Sequence, residues 1–279
     1  TSINFQTLLE FPQLFFIDTN PSPSSAMADW SFYDYTPSKV GAIIAIICFG
    51  FSAGYHVFQL IKLKSFFFST FIVGAIMMTL GYIFRAVSSG DTTAIGPYIA
   101  QNVCILLPPS LYGATIYMIY GHIVLFAGAS HLSIISPQKV TKIFVIGDVI
   151  AFLTQASVGG MMAVSSMSKI GQVIAILGLF VQLIFFGGFL TISLIFGKRL
   201  KQTKRSLLRL QYGPLLYVLF GVSGLIIIRC IYRVIEFCQG NDGYLMGHEA
   251  FLYIFDTIPM IVVQVIFHFY HSIFEMVFM

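Results

Sequence analysis

Seven long apolar runs constrain this chain more than any other feature. They lie at about 40–61, 66–87, 97–127, 141–163, 171–197, 212–236 and 249–272, and each exceeds the roughly 20 residues an α-helix needs to cross the hydrocarbon core of a bilayer. Strands that span a membrane are about ten residues long and alternate in polarity, so the runs select an all-α, polytopic, seven-transmembrane-helix bundle over a barrel. Composition agrees, with 57% of the 279 residues hydrophobic and 9% charged, against about a quarter charged in an average soluble domain. Ahead of the first run, an apolar-acidic patch from Phe5 to Asp18 leads into Asn20-Pro-Ser-Pro-Ser-Ser25. That segment is too interrupted to span and reads as a surface element with a flexible connector. The expected division is therefore an extracytoplasmic segment, 1–38, and a transmembrane domain, 39–279. Within the third run Pro108-Pro109 predicts a break, because proline removes a backbone donor.

Orientation follows from where Lys and Arg fall. The first, third and fifth connections carry Lys62 and Lys64, Lys139 and Lys142, and Lys198, Arg199, Lys201, Lys204, Arg205 and Arg209, whereas only Lys39 and Lys169 lie near the membrane on the other side. This predicts an N-terminus outside and a C-terminus in the cytosol. The basic 198–209 connection is expected to contact anionic lipid, and a cytosolic partner is the alternative. Because that charge belongs to a membrane loop, nucleic acid is excluded as a partner.

The charges that lie inside the apolar runs are the unusual ones, since each costs about 2.5–3.5 kcal/mol at the centre of a membrane helix. Arg229, Tyr232, Arg233 and Glu236 fall at spacings of three and four, so they share one side of the sixth helix. Glu249, Tyr253 and Asp256 repeat the arrangement on the seventh, beyond the turn Gly240-Asn-Asp-Gly243. Antiparallel packing of the two helices is expected to bring both arginines within reach of the carboxylates opposite. Arg85 ends the second run, and Gln101 and Asn102 begin the third, so all of these groups belong to the outward half. Asp148 and Gln155 on the fourth run and Gln182 on the fifth lie deeper. A water-filled pocket open to the outside and a dry network of ion pairs both satisfy this distribution.

Small residues at Gly50 to Gly54, Gly159-Gly160 and Gly187-Gly188 mark expected close contacts between helices. Cys48, Cys104, Cys230 and Cys238 show no metal spacing and read as packing residues, with Cys238 the one placed for reactivity. His56 with His122 or His268 is the pair able to ligate haem, although hydrogen-bonded buried histidines explain the same positions. Nucleotide-binding glycine loops, metal-ligand spacings and nucleophile motifs are all missing from the sequence, so neither an enzyme nor a cofactor is expected.

From Tyr35-Thr-Pro37 to His271 the chain resembles the fungal lipid-translocating exporter, or RTA-like, family of seven-span membrane proteins. The resemblance rests on Gly81-Tyr-Ile-Phe-Arg85, the Gln101-Asn102 to Pro108-Pro109 stretch with Tyr117, Phe144-Val-Ile-Gly-Asp148 through Gln155, and Gly178-Leu-Phe-Val-Gln182. Arg229-Cys-Ile-Tyr-Arg-Val-Ile-Glu236 and Gly243-Tyr-Leu-Met-Gly-His-Glu249 with Tyr253 and Asp256 carry it furthest. Two positions depart from the family pattern, Met78 where an acid is common and Ser272 where a proline is common. The resemblance implies movement or tolerance of amphipathic lipids such as sphingoid long-chain bases or amino-sterols, and resistance to toxic amphiphiles, with the plasma membrane as the expected location and another fungal endomembrane as the alternative. On that reading Glu249, Asp256 and Glu236 hold an ammonium head, while Arg85, Arg229 and Arg233 keep those acids ionised and accept any phosphate. Gln101, Asn102, Asp148, Gln155 and Tyr253 complete the candidate substrate-binding set. A seven-helix lipid sensor or receptor, and a haem or porphyrin carrier, are the alternatives.

Overall fold

The computed structural model describes residues 37–63, 68–162, 168–202, 206–240, 243–245 and 247–278. The 1–36 segment, Lys64, Lys204, Arg205 and the Asn241-Asp242 tip of the expected turn lie outside the described residues. Among the described residues helices joined by short turns account for the chain, without strands. In order the elements are α1 (Lys39–Leu63), α2 (Ser69–Ser88), α3 (Ile95–Leu106), α4 (Pro108–Phe126), a short 3-10 helix (Ser130–Leu132), α5 (Pro137–Met162), α6 (Ser168–Gln202), α7 (Ser206–Gln239), the single turn α8 (Glu249–Leu252), a wide π-helical turn (Tyr253–Thr257) and α9 (Ile258–Phe278).

Six of these stretches are long and apolar enough to cross a membrane, with α3 and α4 together forming one of them. The amphipathic demand is modest, because the outer faces are themselves apolar: Val40, Ile44, Ile47, Phe51, Phe58 and Ile61 on α1 are all exposed. Such a belt is a surface for lipid rather than for water, and the protein is an integral membrane protein. α5 is helical over 26 residues and carries Lys139, Lys142 and Asp148.

Packing follows chain order around a ring: α1 lies on α2, α2 on α3 and α4, α4 on α5, α5 on α6, α6 on α7, α7 on α9, and α9 returns to α1. α4 also touches α6, α7 and α9, which places it at the centre. Its composition explains the position, since it is apolar on every side and buries Tyr112, Ile116, Tyr117, Ile119, Tyr120 and Ile123. Phe49, Phe71, Phe144, Phe186 and Phe189 fill the space around it. The expected break at Pro108-Pro109 is present but slight. Leu107 keeps helical angles (φ −72°, ψ −41°), and its own N–H still bonds Val103 O at 3.1 Å.

The close helix contacts are not where the glycine pairs suggested. A Cβ at Gly54 or Gly187 would meet nothing within 4 Å, and one at Gly50 or Gly188 would sit at ordinary contact distance. Tight crossings lie at Gly74, whose Cβ would stand 2.7 Å from the Tyr112 ring, at Gly81, whose Cβ would stand 2.7 Å from Ile105 Cγ1, and at Gly147, whose Cβ would overlap the Phe185 ring. The side chains around Gly159-Gly160 lie outside the described residues. What decides tightness is the partner's bulk, which a glycine pattern on one helix does not reveal. The basic 198–209 connection is partly engaged within the fold. Arg199 Nη1 donates to Leu132 O at 3.0 Å and Lys201 lies over the Tyr217 ring at 4.7 Å.

Two substitutions of the same kind should therefore act in opposite directions. Gly147→Ala is expected to destabilise by about 1–3 kcal/mol through overpacking. Gly54→Ala, at an open helical site, is expected to be neutral or to stabilise by up to about 1 kcal/mol. Thermal unfolding of the two variants in detergent, followed by loss of monodisperse protein, checks both signs.

Candidate functional site

On α7 the three- and four-residue spacing puts Arg229, Tyr232, Arg233 and Glu236 on the inward side, and all four are buried. At the centre of their cluster stands Asp256, fully buried at 0% exposure. One of its oxygens pairs with Arg229 and the other with Arg233. Arg233 also donates from Nη1 to Glu236 Oε2 at 2.8 Å, and Tyr232 donates its hydroxyl to the other oxygen of Glu236 at 2.9 Å. Arg229 reaches a second helix as well, where its Nη2 donates to the backbone carbonyl of Ile105 at 2.8 Å. Pro109, four residues on, has no N–H for that carbonyl, so the guanidinium supplies the donor the proline removed.

Asp256 reaches this position because α9 does not begin as a regular α-helix. Tyr253–Thr257 form a π-helical turn, a widening that lets the adjacent residues Asp256 and Thr257 both face inward. Pro259 follows at once and lacks the N–H that would tighten the turn into an α-helix. Thr257 Oγ1 bonds back to Leu252 O at 3.3 Å and is hydrogen-bonded to Tyr82 of α2.

The widened turn also corrects one expectation. Glu249 does not face the α7 arginines. It pairs with Arg85 of α2 at 2.7 Å, accepts from the Ser38 backbone N–H at 2.8 Å, and accepts from Tyr253 Oη at 3.2 Å. Ser38 Oγ in turn accepts from Gly41 N at 3.2 Å at the start of α1, and a Cβ at Gly41 would strike the Tyr253 ring at 2.8 Å. Tyr82 stacks on Tyr253 with ring centroids 6.4 Å apart, joining the two halves. Arg85, Arg229 and Arg233 against Glu236, Glu249 and Asp256 leave no net formal charge, which is the condition for burying six ions together. The Glu249 side chain, 14% exposed, is the open edge of the cluster.

The remaining candidate residues divide. Gln101 is buried on α3 one turn before Ile105, and Asn102 beside it is half-buried. Asp148 and Gln155 belong to a different place, the interface of α4, α5 and α6. There Tyr117 Oη donates to Asp148 Oδ2 at 2.8 Å, Gln155 Nε2 donates to Gln182 Oε1 at 3.1 Å, and Gln182 Nε2 donates to Ser110 Oγ at 3.1 Å.

His56, His122 and His268, the histidines considered for iron, each make a hydrogen bond through one ring nitrogen. His56 Nε2 pairs with Gln264 O at 3.3 Å and His268 Nε2 with Ser52 Oγ at 3.0 Å, while His122 Nδ1 bonds Met118 O of its own helix at 2.8 Å. The His56 and His268 rings touch, with centroids 4.3 Å apart, and leave no space for a macrocycle between them. Cys230 is buried as a packing residue, whereas Cys48 and Cys238 are exposed. Tyr82, Thr257, Ser110, Tyr112 and Gln264 are polar partners that the reading of the sequence passed over. For Tyr82 a signal existed, its place three residues before Arg85 on the same helix face.

Asp256→Asn should be the most damaging single change in the cluster. It leaves the buried Arg229 without its carboxylate and Arg233 with Glu236 alone, and breaking a buried pair typically costs about 3–5 kcal/mol. Glu236→Gln should cost less, because Arg233 keeps Asp256. Thermal midpoints of the two purified variants give the order.

Comparison with known proteins places this geometry in a family. Residues 71–278 match the family described as RTA1 like protein. "Protoporphyrin uptake protein 1" of Saccharomyces cerevisiae is 38% identical over 219 residues, covering 76% of this chain and 72% of the relative. "Protein RTA1" of the same yeast is 40% identical over 200 residues, covering 71% and 63% respectively. "Sphingoid long-chain base transporter RSB1" of Saccharomyces cerevisiae is 24% identical over 267 residues, covering 82% and 70%. No solved structure is a significant match. A match over most of the chain that includes Arg85, Arg229, Arg233, Glu236, Glu249 and Asp256 makes this protein a member of the RTA1-like family.

Proposed function

We propose that the chain is a membrane transporter or translocator of amphipathic lipids, with a sphingoid-base-like or amino-sterol-like head bound at the α2–α7–α9 cluster. The observation that carries this reading is the charge balance of the cluster together with its open edge. Glu249 is the acid an incoming ammonium meets first, and Tyr253 beside it offers a hydroxyl and a ring face. An ammonium that takes Glu249 frees Arg85 to accept a phosphate or hydroxyl on the same head, so both ends of the broken pair find partners. Gln101 and Asn102 line the same end of the bundle, and the aromatic walls along α4 take the tail. Seven spans, an extracytoplasmic 1–38 segment, an outward-facing cluster and a plasma-membrane location complete the proposal. The relative named as a sphingoid long-chain base transporter supports the substrate class, and no catalytic chemistry is invoked.

The relative named as a protoporphyrin uptake protein favours a second reading, a porphyrin carrier. There the propionates of a tetrapyrrole would pair with Arg85 and Arg229, without an axial histidine. Protoporphyrin added to purified protein should then show a shifted and strengthened fluorescence that Arg85→Met removes, and unchanged fluorescence counts against it.

For the lipid reading the decisive comparison uses matched neutral partners. Glu249→Gln should abolish protection of cells against a toxic long-chain base while the protein still reaches the membrane. The double variant Arg85→Met with Glu249→Gln removes both charges, so its thermal midpoint should return close to wild type while protection stays lost. Full protection in the double variant would reduce the pair to a structural tie.

A further inference from the structure

Among the residues whose side chains are described, Asp148 is the acid of the membrane interior that the ion-pair cluster does not neutralise. It is 3% exposed. Its Oδ2 accepts from Tyr117 at 2.8 Å, and its Oδ1 has no hydrogen-bond partner among the described residues. The groups around it are few. α4 presents Tyr117 and Gly113, whose built Cβ would stand 3.2 Å from Asp148 Oδ2 and 3.1 Å from Phe186 of α6. From α7 the buried Cys230 thiol lies within electrostatic reach of it, and Phe144, Phe186 and Phe189 close on Tyr117 with centroids 4.6–5.8 Å away. No cation pairs with it among the described residues. The guanidinium groups of Arg229 and Arg233 are committed to Asp256 and Glu236.

An ionised carboxylate this deeply buried would keep half its charge on an oxygen that no described donor reaches, at a cost of several kcal/mol. A neutral carboxylic acid leaves only a hydroxyl unsatisfied, a much smaller penalty. We propose that Asp148 is a proton-binding site, holding a proton on Oδ1 while the α4–α5–α6 interface is closed and releasing it when that interface opens, so that substrate movement is linked to proton movement. The step is a simple dissociation, carboxylic acid to carboxylate plus a proton, and needs no co-reactant. A polar track leads along the same helix faces. Ser110 stands seven residues before Tyr117 on α4 and Gln155 seven after Asp148 on α5, two turns away in each case, and Gln182 bridges them. On the other side Thr141 Oγ1 donates to Tyr117 O at 3.3 Å. The linkage, though not the proton site, rests on the transport reading above.

Infrared spectra of the purified full-length protein in lipid nanodiscs, in light and heavy water, read the proton directly. Wild type at neutral pH should show the carbonyl stretch of a protonated carboxylic acid. Asp148→Asn, a neutral side chain of the same shape, should abolish it, Asp256→Asn should leave it, and Tyr117→Phe should shift it by removing the hydrogen bond. Absence of the band from wild type, or its persistence in Asp148→Asn, would overturn the site. If Asp148→Asn does not fold, an unshifted band in Tyr117→Phe overturns it equally. Phytosphingosine added to the nanodiscs in weak buffer with a pH indicator should release protons from wild type and none from Asp148→Asn. No release from wild type with the band in place overturns the linkage to an amphiphile and leaves the proton site standing.

Discussion

The carboxylate of Asp256, shared between Arg229 and Arg233, is the interaction on which the rest of this bundle depends. A lone charge at that depth would be expelled or neutralised; two cations on one anion, with Glu236 completing the balance, make burial tolerable. Such a cluster is geometrically strict, because every unsatisfied atom is costly where water is absent. Three irregular pieces of backbone converge on it. The π-helical turn of Tyr253–Thr257 delivers Asp256, the proline-altered carbonyl of Ile105 receives Arg229, and the N-terminus of α1 is tied through Ser38 to Glu249.

That convergence links the ion pairs to the shape of the helices. A change in the partners of Asp256 alters the donor available to Ile105 at the α3–α4 break, and a change at Glu249 alters the anchor of α1. Local breaks in membrane helices are tolerated where neighbouring groups satisfy the freed backbone atoms. Here the neighbouring groups are the same side chains that carry the buried charge. Charge pairing and helix geometry therefore share one set of hydrogen bonds.

Two polar regions serve two kinds of chemistry. Around α7 and α9 the charges are numerous, mutually paired and reach an exposed edge at Glu249. Between α4, α5 and α6 the polar groups are uncharged or alone, Asp148 with Tyr117 and Gln155 with Gln182 and Ser110, and aromatic rings seal them. The central helix α4 belongs to both, since Tyr112 accepts from Gln264 of α9 at 2.6 Å while Tyr117 meets Asp148. Movement of α4 would reach both regions at once.

Much of this was legible in the residues. Apolar runs of membrane length announce a helical bundle because bilayer thickness and helix rise leave few alternatives. The spacing of Arg229, Tyr232, Arg233 and Glu236 places them on one face because 3.6 residues make a turn, and the structure buries all four. Partner choice was not legible. Glu249 and Asp256 look equivalent along the sequence, yet a widened turn sends one to α2 and the other to α7, and nothing local distinguishes a π-helical turn before Pro259 from an ordinary helix start. The tight crossings at Gly81 and Gly147 depend on Ile105 and Phe185, residues on other helices. Periodicity belongs to one helix and is written in its sequence; which helix comes to lie against it, and at what rotation, is decided only when side chains from distant parts of the chain compete for the same space.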